Sequence, residues 1–195
     1  MYSPATRSLV PLTIDHTAAG NYQSLLGLYS LTMDGLDMAI GMHNSVACAE
    51  DIHRIDDDLL ADIKQSYTAN AMYQALLESC SIWPTEKVNE SFFAAIESDI
   101  PTLLLSGELD PATPPDWGTL AMENMTNARH FVAPYATHGV ATQSCGNDLV
   151  AELIDQGSLN DLDDDCLSKD YPRGFYLNAS TAQALPNDAV KEDSP

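Results

Sequence analysis

Two compact apolar runs, one helix's length apart, constrain this sequence more than any other feature. TLLL at 102–105 leads into SGELDPATPP at 106–115, and RHFVAP at 129–134 leads into YATHG at 135–139. A short continuous apolar run closed by Ser-Gly reads as a strand buried on both faces, the habit of a parallel sheet. Between the runs, Thr113 can cap a helix over DWGTLAMENM, with Pro114 or Pro115 in its first turn. Proline fits there because its missing N–H has no intrahelical partner to lose. A strand, a helix and a strand over about 30 residues make a βαβ unit. The expected fold class is α/β.

Parallel neighbours release their following loops at one edge of the sheet, where open α/β folds place their sites. Asp110 and His138 follow the two runs and can meet at that edge. A carboxylate that accepts the imidazole Nδ1 proton fixes the tautomer and stabilises the imidazolium, so that Nε2 can serve as general base and then general acid. Taken singly, each residue says little. Asp before Pro suits a plain turn, and Glu108 would point to the same side of an extended segment as Asp110, offering a second candidate acid. No nucleophile accompanies them. The 195 residues contain no G-x-S-x-G turn, the device that presents a serine in such folds. Ser45 in HNSVA has the wrong flanks, and Ser106 and Ser144 lie beside the acid and base segments.

Length and charge bound the remaining choices. A chain of 195 residues can form one domain with a real core, or the later part of a larger one. Its 29 acidic residues against 8 basic ones, a net charge of −21, exclude a nucleic-acid partner, because phosphate binding needs clustered Lys and Arg. The acidity reads as a solvated surface. DQGSLNDLDDDC lacks the residue order of an EF-hand loop, so Asp163, Asp164 and Asp165 read as a solvated turn. No metal and no cofactor is expected. No run reaches the ~18 to 20 apolar residues of a membrane span, and MYSPATRSLVPLTIDHTAAG lacks the charged start and apolar stretch of a signal peptide.

Cys48, Cys80, Cys145 and Cys166 are too widely spaced for C-x-x-C chemistry. An even count permits three pairings. The sequential one, Cys48 with Cys80 and Cys145 with Cys166, closes loops of moderate length, each worth roughly 3 kcal/mol by chain entropy. Four free thiols fit the sequence equally well.

The first part of the chain reads as helical. PATRSLVPLTIDHTAAG and NYQSLLGLYSLTM suggest two short packed helices with Gly20 as a stop between them. DMAIGMHNSVACAED suits a buried helix or a strand. DDDLLADIKQSYTANAMYQALLESC, residues 56–80, reads as one helix with acids at its start. Trp83-Pro84 ends it, and a connector runs to Asp99. CGNDLVAELIDQG is a closing helix, and residues 171–195 read as a polar, fraying tail.

The span SDIPTLLLSGELDPATPPDWGTLAMENMTNARHFVAPYATHGV resembles the C-terminal segment of the tripeptidyl-aminopeptidase and prolyl-aminopeptidase branch of the α/β-hydrolases. GMHNSVACAED resembles the segment near the end of their helical cap, and CGNDLVAELIDQGSLNDLDDDC their terminal helix with its flanking cysteines. The likeness covers roughly residues 1–170, and GELDP-x-TPP with a following HG is a compound pattern. It implies the C-terminal part of an α/β-hydrolase fold: a helical cap over 1–98, a hydrolase segment over 99–170 and a tail over 171–195. It makes Asp110 the triad acid and His138 the base. It also implies a secreted or periplasmic setting, which favours disulfides over free thiols. Glu50 or Asp51 would hold the amino terminus of a peptide substrate, since a cation in a partly dry pocket needs a carboxylate; the plain alternative is that they start a local helix.

In such enzymes the serine turn, the oxyanion loop and the early strands precede the segment seen here. A two-stranded parallel sheet also rarely stands alone. The expectation is therefore a fragment of a serine exopeptidase, an aminopeptidase releasing N-terminal residues or tripeptides, that carries Asp and His without the serine and is inactive alone. Two alternatives stand beside it: a noncatalytic remnant or partner subunit completed by a chain bearing the N-terminal half, and an esterase or lipase relative on the same fold.

Overall fold

Both apolar runs form strands in the computed structural model, which describes residues 3–34, 39–178 and 181–182. Strand β1 (Thr102–Gly107) and strand β2 (Ala128–Ala133) pair in parallel, with Thr102 opposite Ala128 and Gly107 opposite Ala133. Side chains alternate across a strand, and the two faces have different partners. Leu103, Leu105, Phe131 and Ala133 pack into a core with Val140, Leu149, Leu159, Leu162 and Leu167. On the other face, His130 and Ser106 lie beneath the helix that joins the strands, here α6 (Pro115–Ala121); a methyl group on Gly118 of that helix would sit 2.7 Å from the His130 ring.

The closing helix, α7 (Gly146–Gln156), turns Leu149 and Leu153 toward the core. Residues four apart lie on one helix face. Leu149 is 2% exposed, and truncating such a leucine to alanine costs about 2–5 kcal/mol. The helix ends at Gly157, whose φ of 60° is the left-handed conformation that glycine adopts at low cost. Arg129 ties the following loop to β2 by donating to the carbonyls of Leu159 and Leu162 at 3.0 and 2.6 Å.

The chain divides into two compact units, Met1–Gly35 with Ala95–Pro195, and Leu36–Ala94. The first holds the sheet, its helices and a helical pair, α1 (Pro4–Ala18) and α2 (Gln23–Asp34). Ser3 caps α1 by accepting from Thr6 N, Pro4 occupies its first turn, and Gly20 (φ 84°) follows its end, as the sequence suggested. The described part of the C-terminal segment does not simply fray. Strand β3 (Tyr176–Asn178) pairs antiparallel with β4 (Thr181–Ala182) and contacts α1, where the Arg7 guanidinium stands 5.1 Å from the centre of the Phe175 ring. Residues 183–195 lie outside the described residues.

The second unit is helical. The ambiguous segment is a helix, α3 (Ile40–Val46), continued by a π-turn over Ala47–Asp51. The single helix expected over 56–80 is two, α4 (Asp57–Gln65) and α5 (Tyr67–Ile82). The reason lies in Ser66. Its backbone is extended, and its side chain accepts from Ala69 N, so it caps a new helix instead of continuing the old one.

Candidate active site

The loops after β1 and β2 leave the sheet level with each other, because Gly107 and Ala133 are partners in register. Backbone hydrogen bonds then join loop to loop. Glu108 N donates to Ala133 O at 3.0 Å, and Leu109 N donates to Ala136 O at 3.1 Å. Gly107 permits this approach, since a Cβ there would collide with the carbonyls of Ala136 and Thr137. The chain turns immediately, with Asp110 N donating to Gly107 O at 3.1 Å. Glu108 is consequently not on an extended segment alongside Asp110. It is exposed in the turn, whereas Asp110 is buried.

The Asp110 carboxylate is surrounded by donors. Oδ1 accepts from Ala112 N at 2.8 Å and Thr113 N at 3.1 Å; Oδ2 accepts from the Thr113 hydroxyl at 2.8 Å and lies 2.9 Å from His138 Nδ1. Burial pushes the Asp110 carboxyl up, but these hydrogen bonds outweigh it and hold the group down at about 2. An ionised carboxylate only accepts, so Nδ1 of His138 is the donor in their contact. The acid is 4% exposed and the imidazole 44% exposed, an arrangement with a covered anchor and an accessible ring. Thr113, expected to cap α6, instead serves Asp110. Pro114 stands at the cap position and Pro115 is the first helical residue.

Gln143, which no pattern in the residues singles out, holds the histidine loop. Its Oε1 accepts from the backbone N and the hydroxyl of Thr137 at 3.0 and 3.2 Å, and its Nε2 donates to His138 O at 2.6 Å. A short 3₁₀ turn, Val140–Thr142, brings Gln143 back over residues 137 and 138, its N–H donating to Val140 O at 2.9 Å. A side-chain amide has no periodicity or spacing by which sequence could mark it.

Another histidine, His130, meets a serine, with Ser106 Oγ and His130 Nε2 at 2.8 Å. Burial pushes the His130 imidazole down from its usual range. This pair belongs to the packing of α6 on the sheet.

Glu50 and Asp51 are the last residues of the π-turn in the unit Leu36–Ala94, with Glu50 half-buried and Asp51 exposed. The cysteines pair sequentially. Cys48 bonds to Cys80, linking the π-turn to α5, and Cys145 bonds to Cys166, linking the start of α7 to α8 (Asp165–Ser168). Asp163 accepts from Asp165 N at 2.9 Å, as a turn residue does. Among the described residues no three His, Cys, Asp or Glu side chains gather as metal ligands, and no helix is long and apolar enough to cross a membrane.

A buried carboxylate orienting an accessible imidazole, on neighbouring loops at one end of a parallel sheet, can move a proton to and from a reacting oxygen or nitrogen. Residues 65–166, just over half of the chain and including Asp110 and His138, match the family described as TAP-like protein. No curated protein and no solved structure matches. The chain belongs to the TAP-like family of α/β-hydrolases.

Proposed function

We propose that this TAP-like α/β-hydrolase chain provides the acid and base of a Ser-Asp-His triad in a serine exopeptidase, with the serine supplied by polypeptide outside these 195 residues. The observation that carries the reading is the 2.9 Å contact of His138 Nδ1 with the Asp110 carboxylate. In the complete enzyme, the serine hydroxyl attacks a peptide carbonyl while His138 Nε2 takes its proton. The imidazolium then protonates the leaving amine, and a water repeats the sequence to release the acyl group. Asp110 stays ionised throughout and stabilises the imidazolium. Glu50 or Asp51 holds the ammonium of the substrate's first residue, with the helical region 1–98 acting as cap and 99–170 as the hydrolase segment. Two disulfides support a secreted or periplasmic setting.

Alone, the chain is inactive, because removing the nucleophile removes the covalent route. A second reading is favoured by the absence of G-x-S-x-G from the sequence: a noncatalytic partner subunit completed by a chain carrying the N-terminal half. The experiment compares aminoacyl and tripeptidyl p-nitroanilides with matched esters, using this chain alone and joined to an upstream region bearing the serine turn. The peptidase reading expects amide hydrolysis only by the joined protein, abolished by His138→Ala. Ester cleavage without amide cleavage would move the assignment to an esterase. A joined protein inactive on both classes would favour the noncatalytic partner.

A further inference from the structure

We propose that Gln143 is a positioning residue for His138, its side-chain amide clamping the backbone of the histidine loop so that the imidazole stays on Asp110; this rests on the acid–base reading of that pair. One amide meets the dipeptide Thr137-His138 at both ends, accepting from Thr137 N at 3.0 Å and donating to His138 O at 2.6 Å. The Thr137 hydroxyl adds a second donor to Oε1 at 3.2 Å. The opposite orientation of the amide would set NH₂ against the Thr137 N–H and Oε1 against the His138 carbonyl, so the partners fix which way it points. Thr137 is 0% exposed. Its amide has no access to bulk water, so the Gln143 oxygen takes the place that solvent would otherwise fill.

The clamp is itself anchored. Gln143 N donates to Val140 O at 2.9 Å, and Gly146 N donates to Gln143 O at 3.0 Å. Two residues further on, Cys145 is bonded to Cys166 of α8. Gly139 follows His138 with a φ of 80° and open space around it, and the imidazole is 44% exposed, so packing alone does not fix the ring. Gln143 thus ties the His138 backbone to the segment that the Cys145–Cys166 bond anchors.

The test reads the tautomer of His138, which global stability does not set. With ¹⁵N-histidine, long-range proton–nitrogen spectra of the neutral ring report the ratio of Nδ1–H to Nε2–H forms in the chain as it stands, with His138→Gln assigning the signal. The wild-type ring is expected to carry its proton on Nδ1, and Asp110→Asn to reverse that preference. Gln143→Met keeps the side chain's length and loses the hydrogen bonds. It is expected to lower the ratio at least threefold with both disulfides and the circular dichroism unchanged. Gln143→Glu keeps the acceptor and loses the donor, giving an intermediate ratio, and it decides the matter should the methionine variant not fold. A wild-type ratio in the folded variant overturns the clamp and leaves the acid–base pair standing. A wild-type ring indifferent to Asp110→Asn overturns the acid–base pair and the clamp with it.

Discussion

Asp110 Oδ2 and His138 Nδ1 lie 2.9 Å apart although 28 residues separate them along the chain. The register of β1 with β2 closes that distance, and the loop-to-loop hydrogen bonds hold it. In a catalytically complete protein, Asp110→Asn keeps the shape and changes the tautomer that His138 presents. The expected outcome is a fall in kcat of about 10⁴-fold, from the behaviour of such triads, with KM little changed because the acid does not touch substrate. Steady-state kinetics on one good substrate checks both numbers.

The same carboxylate sets an acid-stability limb. Its folded value of about 2 lies below the ordinary 3.8, so its stabilisation is fully present above pH 3.8 and is lost as pH falls through about 2. The gain is on the order of 2 kcal/mol, since one pKa unit is worth about 1.4 kcal/mol. Urea unfolding at stepped pH between about 5 and 2 should show the limb in the wild type and its loss in Asp110→Asn. Thr113→Val removes one donor to Oδ2 and so raises the folded value toward 3.8; the limb should be smaller and complete at a higher pH, with its onset unchanged.

Much of this was legible in the residues. The runs TLLL and RHFVAP gave both strands because continuous apolar stretches closed by turn residues leave few other choices, and the loops after them gave Asp110 and His138. What was hidden depends on partners that pattern does not encode. Thr113 can cap a helix or serve a carboxylate, and only the fold brings Asp110 to its hydroxyl. Ser66 looked like an interior residue of one helix until its side chain took the cap position of the next. Gln143 carried no signal, because its role comes from a return of the chain over residues 137 and 138.

Gly107→Ala should separate the two loops. The new methyl would meet the carbonyls of Ala136 and Thr137, both backbone atoms that cannot swing aside. Overpacking of this kind costs about 1–3 kcal/mol. Thermal unfolding should register the loss, and the His138 tautomer should shift as in Asp110→Asn even where the variant stays folded.

Each disulfide should contribute about 3–4 kcal/mol, from chain separations of 32 residues for Cys48–Cys80 and 21 for Cys145–Cys166. Paired Cys→Ala changes, compared by denaturant unfolding, should cost similar amounts. Only loss of Cys145–Cys166 should also disturb His138, because that bond adjoins Gln143.

Labelling by a fluorophosphonate, which reacts only with a serine activated by its histidine, tests the central claim most directly. The expected result is no labelling of the 195-residue chain, stoichiometric labelling once an upstream region carrying G-x-S-x-G is joined to it, and loss of that labelling with His138→Ala. Stoichiometric labelling of the chain alone, or labelling of the joined protein that survives His138→Ala, would contradict the assignment of Asp110 and His138 as the acid and base of a serine triad.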